Sequence, residues 1–145
     1  MVSGSCLCGK TQYRILRSDL NAYQCFCSLC RRQSGTASNL ATIVSAAEFE
    51  WLSPVTHIQH WQKDTGFTSD FCSCCGSPVP NRLRSSDYVW IPLGTLTLEA
   101  PAPVVAWLCH DSAGGMETVD QPSVCFSDLP ELSRLLELLG RKAAG

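Results

Sequence analysis

The sequence predicts a mainly β fold closed by a short C-terminal helix, and three observations carry that expectation. Short β-branched or alternating stretches recur along the chain, each bounded by Gly, Pro, Ser, Asn or Asp. One segment, near the end, repeats leucine at helical spacing. The third observation is an excess of cysteine, 10 in 145 residues, gathered into tight clusters.

The elements follow in chain order. Strands are expected at residues 10–16, 41–44, 56–62, 88–92 and 104–108, where apolar and β-branched residues alternate between turn formers. Ser45 followed three residues later by Glu48 is a capping box, which predicts a single helical turn there. The helix is expected over 129–139, capped by Asp128 and stopped by Gly140, with Leu132, Leu135, Leu136 and Leu139 on one packed face. The tail 141–145 is expected to fray. No repeat, low-complexity run or long polar linker divides the chain, so one domain spanning 1–145 is expected.

Composition excludes several functions. A hydrophobic fraction of 45% with 17% charged residues is that of a globular protein rather than a disordered one. No apolar run approaches the ~20 residues of a membrane-spanning helix, so no membrane partner is expected. A net charge of −2 argues against neutralising phosphates as the main task, so no nucleic acid partner is expected. The opening residues carry neither a basic region nor an apolar run of a secretory signal. Together with clustered thiols, this predicts a cytoplasmic protein.

The cysteines fall as Cys6-x-Cys8, Cys25-x-Cys27-x-x-Cys30 and Cys72-x-Cys74-Cys75, with Cys109 and Cys125 alone. Thiols one or two residues apart rarely meet disulfide geometry with each other, whereas a metal draws several sulfurs to ~2.3 Å from one point. The clusters therefore predict thiolate zinc. Cys6 with Cys8, and Cys72 with Cys75, make two hooks, each followed by a glycine, and together supply four sulfurs. Such a site is closed, does no chemistry and ties distant segments together. Cys74 could replace Cys75 on paper; the C-x-x-C spacing favours Cys75.

Cys25, Cys27 and Cys30 supply three thiolates and no obvious fourth. Three protein ligands with an open position make a catalytic zinc; Cys109, Cys74, His57, His60 or His110 would instead close it as a second structural one. Cys109 and Cys125, isolated in apolar sequence, otherwise read as buried hydrophobes, and Trp51, Trp61, Trp90 and Trp107 as core.

Three ordered motifs match a known family. Gly4-Ser5-Cys6-Leu7-Cys8-Gly9, then Cys25-Phe26-Cys27-Ser28-Leu29-Cys30-Arg31 with Ser34-Gly35, then Gly66-Phe67 and Phe71-Cys72-x-x-Cys75-Gly76-Ser77-Pro78 resemble the glutathione-dependent formaldehyde-activating enzymes. That family also holds centromere protein V-like proteins, and the likeness runs over about residues 3–98. It implies a zinc-containing, Mss4-like fold of small antiparallel sheets with two zinc ions per chain. Cys6, Cys8, Cys72 and Cys75 would be structural ligands, and Cys25, Cys27 and Cys30 catalytic ones. Two features depart from the pattern: Phe26 stands where members often carry histidine, and the stretch from Cys109 to Met116 lacks a Lys-Ala-Pro-Trp type segment.

The resemblance implies a carbon–sulfur lyase that forms or breaks a thiol–aldehyde adduct, S-hydroxymethylglutathione, with glutathione as co-substrate. Small-molecule thiol and aldehyde would be its partners. Coordination of a thiol lowers its pKa, which suits such chemistry. Arg31 and Arg32 would offset the charge of the cluster or clamp a substrate carboxylate, or else form a solvated surface pair. The competing expectation is a zinc-stabilised binding module without catalysis.

Overall fold

The computed structural model describes residues 1–113 and 124–140. In order these form Val2–Ser5 (β1), Gln12–Ile15 (β2), Ala22–Cys25 (β3), Ser28–Ser34 (α1), Asn39–Ser45 (β4), Phe49–Trp51 (β5), Ile58–Gln62 (β6), Thr68–Cys72 (β7), Asn81–Arg82 (β8), Tyr88–Pro92 (β9), Leu96–Thr97 (β10), Val104–Leu108 (β11) and Leu132–Leu138 (α2). The protein is mostly β, in small sheets, with one short C-terminal helix. The chain divides into two compact units, each built from two separate stretches: 1–19 with 43–101, and 20–42 with 102–145.

The first unit contains a four-stranded antiparallel sheet in the order β10, β1, β2, β5. Alternation explains its register: Val2, Gly4, Tyr13 and Ile15 share the buried face, and their neighbours Ser3, Ser5 and Gln12 face out. Gly4 lies opposite Tyr13, and Tyr13 lies opposite Trp51. The Tyr13 ring is fully buried, packed 5.6 Å from Phe49 and 5.9 Å from Trp51, and its hydroxyl pairs with Thr95 Oγ1 at 2.5 Å. Two hairpins complete the unit: β6 with β7, Ile58 opposite Cys72, and β8 with β9, Asn81 opposite Trp90. The Ser45–Glu48 capping box is present and holds a 3₁₀ turn over Ala46–Glu48.

In the second unit β11 runs parallel to β3, with Leu108 opposite Cys25, and β3 pairs antiparallel with the first half of β4. Helix α2 packs on β11; Leu135, Leu136 and the C-cap Leu139 are buried, while Leu132 is 39% exposed.

Several expectations need correction. Helix α2 begins at Leu132 rather than 129, and its N-cap is Glu131 with no side-chain cap bond. Asp128 does not cap it: it lies four residues before the helix start, and its carboxylate accepts the Ser127 hydroxyl at 3.4 Å. The stop at Gly140 holds: its N–H bonds the Glu137 carbonyl at 3.0 Å. A second short helix, α1, occupies the three-cysteine segment, where no apolar periodicity signals it. Trp61 is half exposed on the β6–β7 hairpin rather than core, and Cys125 is exposed, bridging the strand register at Trp107. The tail 141–145 and residues 114–116 of the segment after Cys109 lie outside the described residues. Among the described residues no helix is long and apolar enough to cross a membrane.

Candidate metal centre

The first unit brings the sulfurs of Cys6, Cys8, Cys72 and Cys75 within 4.8 Å of one another. Two turns of similar build present them. Cys6 leaves β1 and the chain folds back so that the Gly9 N–H bonds the Cys6 carbonyl at 3.0 Å. Cys72 ends β7 and the Gly76 N–H bonds the Cys72 carbonyl at 2.8 Å. Both glycines sit at φ near +75°, where a side chain would be strained, and this is why each hook ends in glycine. The Thr11 N–H donates to Cys6 Sγ at 3.3 Å, and Ser77 stitches the hooks together by accepting the Leu7 N–H at 3.0 Å while lying 3.3 Å from Cys75 Sγ. Val79, Trp51 and Ile58 pack around Cys6 and Cys72.

The thiols of this group do not titrate alike. The Ser77 hydroxyl and backbone N–H pull Cys75 down to about 5. At Cys8 the Lys10 backbone N–H pulls downward, but desolvation and the neighbouring Cys6, Cys75 and Cys72 thiols push it up to about 12. Desolvation opposes ionisation of Cys72, yet the Cys74 and Cys75 backbone N–H groups bring it below the usual thiol range. Cys74 stands outside the group, exposed, with Lys10 Nζ and His57 Nδ1 each 3.5 Å from its sulfur.

The second unit brings Cys25, Cys27 and Cys30 within 4.8 Å of one another. Cys25 is the last residue of β3. Cys27 is the N-cap of α1, its sulfur accepting the Cys30 N–H at 3.3 Å, and Cys30 follows in the first turn. Hydrogen bonds from the Cys25 and Cys30 thiols, with the Cys30 and Leu29 N–H groups of the helix start, hold Cys27 down at about 2. The Cys27 thiolate in turn pushes Cys25 up to about 12 and, together with Cys25, pushes Cys30 up as well. One thiolate forms readily and its own charge resists the next two. A cation removes that resistance, so the donor set suits a soft divalent metal such as zinc.

Phe26 is fully buried, edge-on to Trp107 at 5.3 Å and to the half-buried His110 at 5.5 Å. His110 stacks on Trp107 at 5.0 Å. Arg31 is half-buried and donates Nε to the Phe26 carbonyl at 3.0 Å, so it braces the loop between the cysteines; Arg32 is exposed. Sequence reasoning passed over Ser77, whose signal was only its place two residues after Cys75. Cys109, which the sequence offers as a possible fourth ligand, is half-buried just after β11, whose Leu108 lies opposite Cys25, and stands outside the group of three sulfurs.

The first unit also holds a cavity of about 920 Å³ walled by Trp51, Arg82, Arg84 and the pair His60–Asp70, whose Nδ1 and Oδ1 are 2.5 Å apart. Burial raises the Asp70 carboxyl above the usual range, and the bond to His60 holds it partly down. His60 and His57 are thereby engaged within this unit, with Asp70 and Cys74 respectively.

The model of the glutathione-dependent formaldehyde-activating enzymes matches residues 1–111. No curated protein matches the chain. Among solved structures a Rhodobacter sphaeroides protein is similar, with a TM-score of 0.54 and 23% identity over 70% of this chain and 91% of that one, a likeness of fold. With a match over most of its length and cysteine clusters compatible with zinc, the chain belongs to the glutathione-dependent formaldehyde-activating enzyme family, whose fold is Mss4-like.

Proposed function

We propose that this protein catalyses the joining of glutathione to formaldehyde, and the reverse, at the Cys25, Cys27 and Cys30 cluster. The reaction is an addition: the thiol sulfur bonds the aldehyde carbon, and the thiol proton ends on the carbonyl oxygen, giving S-hydroxymethylglutathione. Support comes above all from the convergence of three thiols in a chain of this family. Cys25, Cys27 and Cys30 would hold a zinc ion, which when bound supplies the positive charge that lets a thiol lose its proton near neutral pH.

The residues around the cluster have separate tasks in this reading. Cys27, the N-cap of α1, would hold the metal as a thiolate, a form the N–H groups of the helix start favour. Arg31 braces the Phe26 carbonyl and so fixes the spacing of Cys25 and Cys27. The exposed Arg32 is left to face the carboxylates of the incoming tripeptide. Phe26, fully buried against Trp107 and apolar, moves no proton. Cys6, Cys8, Cys72 and Cys75 would hold a second, structural zinc whose four sulfurs leave no room for substrate.

Zinc content by elemental analysis of protein purified without added metal or chelator should come to two per chain. Exchange NMR with ¹³C-formaldehyde and glutathione should show adduct formation faster than the spontaneous reaction, and Cys27→Ser should abolish the acceleration in a folded protein. No acceleration by the zinc-loaded wild type would leave a zinc-stabilised module without catalysis.

A further inference from the structure

The cavity of about 920 Å³ in the first unit is lined by none of the clustered cysteines, and a volume of that order takes a small organic molecule. Phe49, Trp51 and Val89 give it an apolar, partly aromatic lining. Its polar lining comes from two hairpins. His60 and Asp70 stand opposite each other on β6 and β7, and Arg82 and Arg84 belong to β8 and the turn that follows it.

These polar groups are held in place. Asp70 pairs with His60 Nδ1 at 2.5 Å, which sets the ring and leaves Nε2 without a partner among the described residues. The Asn81 amide donates to Thr68 Oγ1 at 3.0 Å and so ties one hairpin to the other. Arg84 Nη2 donates to the Thr65 carbonyl at 3.2 Å, and its guanidinium lies against Gly66, where a Cβ would fall 3.1 Å from Nη2 and 3.2 Å from Cζ. Any side chain at residue 66 would therefore push the guanidinium off its seat. Arg84 itself has φ 41°, in the left-handed region, a conformation that costs energy in a residue with a side chain.

Charge narrows the class of ligand. The lining carries two guanidiniums and one carboxylate, a net +1 with His60 neutral, and that carboxylate is already engaged by His60. Arg82 has Asp87 at 3.6 Å, a pair exposed at both ends and therefore weak. Arg84 forms no ion pair among the described residues, and its N–H groups other than the one on Thr65 are open to a ligand. A guanidinium matches a carboxylate with two parallel hydrogen bonds, and one net positive charge suits a monoanion better than a phosphate dianion. Trp51 and Phe49 offer a flat apolar body its contact area.

We propose that this cavity binds a small carboxylic acid with a flat aromatic body, its carboxylate held by Arg84. The inference does not depend on the reading of the three-cysteine cluster.

Naphthoate added to the zinc-loaded protein, followed by amide chemical shifts in NMR spectra, tests it. The amides of Gly66, Thr68, Arg82 and Arg84 should move together and saturate. Naphthamide, the same body without charge, and acetate, the carboxylate without the body, should each bind at least about tenfold more weakly. Arg84→Gly removes the guanidinium while suiting the left-handed backbone, so the fold is kept, and it should weaken naphthoate by about tenfold or more. Naphthoate that leaves those amides unmoved, or that binds Arg84→Gly as tightly as the wild type, overturns the proposal. Naphthamide binding as well as naphthoate makes the cavity a merely apolar cleft, and naphthyl phosphate binding more tightly makes it a phosphate site; either result overturns the carboxylate.

Discussion

Gly4→Ala is the substitution whose cost can be worked most directly from the geometry. A Cβ at residue 4 would lie 2.3 Å from Tyr13 Cζ, 2.5 Å from its hydroxyl oxygen and 2.7 Å from Cε2. Relief requires a shift of about 1 Å, since carbon atoms rest about 3.5 Å apart. The Tyr13 ring cannot supply it freely, being fully buried between Phe49 and Trp51 and anchored to Thr95. Overpacking of this kind costs about 1–3 kcal/mol, and losing the Thr95 bond adds about 1 kcal/mol. The sum, about 2–4 kcal/mol, corresponds to a drop in Tm of roughly 5–15 °C for a chain of this size. Urea and thermal unfolding of the metal-loaded protein, followed by near-ultraviolet circular dichroism, would measure it. In a Tyr13→Leu background the same Gly4→Ala change should cost less than about 1 kcal/mol, because the ring it strikes is gone. An equal cost in both backgrounds, or a single variant within about 0.5 kcal/mol of wild type, would refute the close-approach explanation. The matter bears on function because β1 delivers Cys6 to its cluster.

Stripping the metal from the Cys6, Cys8, Cys72 and Cys75 site should lower the stability of the protein by about 4 kcal/mol, the chain-entropy value of closing a 64-residue loop between Cys8 and Cys72, measured as the shift in urea midpoint. His60→Ala should move the Asp70 carboxyl further up, since the bond to His60 is what holds it down, and carboxyl NMR titration reads this directly. The sign for stability follows: native Asp70 keeps its proton more tightly than the unfolded chain does. Its contribution is full below the unfolded carboxyl range and is lost as pH rises through the native value, over a wider span in His60→Ala.

The legible parts of the fold were those with a strong local pattern. Tyr88–Pro92 and Val104–Leu108 are dense in β-branched and aromatic residues, and the strands match the expected bounds. The Ser45–Glu48 box and the Gly140 stop are contained within a few residues and could be read as they stand. Strand β3 could not, because Ala22-Tyr23-Gln24-Cys25 has no alternation; it is a strand because β11 and β4 flank it. Helix α1 is polar apart from Leu29 and Cys30 and buries none of its residues, and its N-cap is a cysteine, a residue outside the usual capping set. The cysteine clusters were visible as spacings. That β11 sets Leu108 opposite Cys25 was not, because it depends on a parallel pairing of strands far apart in the chain.

The order in which the cysteines occur along the chain sets a timetable for synthesis. Cys8 and Cys72 are 64 residues apart, so at about 5–20 residues per second the first hook waits roughly 3–13 s for the second to be made. Through that interval Cys6 and Cys8 are a bare dithiol on a growing chain, open to oxidants and to any soft cation. Cys25, Cys27 and Cys30 emerge almost together and before Cys72 and Cys75, so on the ribosome they would be the earlier complete set of donors. On the proposed reading, a metal supplied during translation would meet the three-cysteine site first.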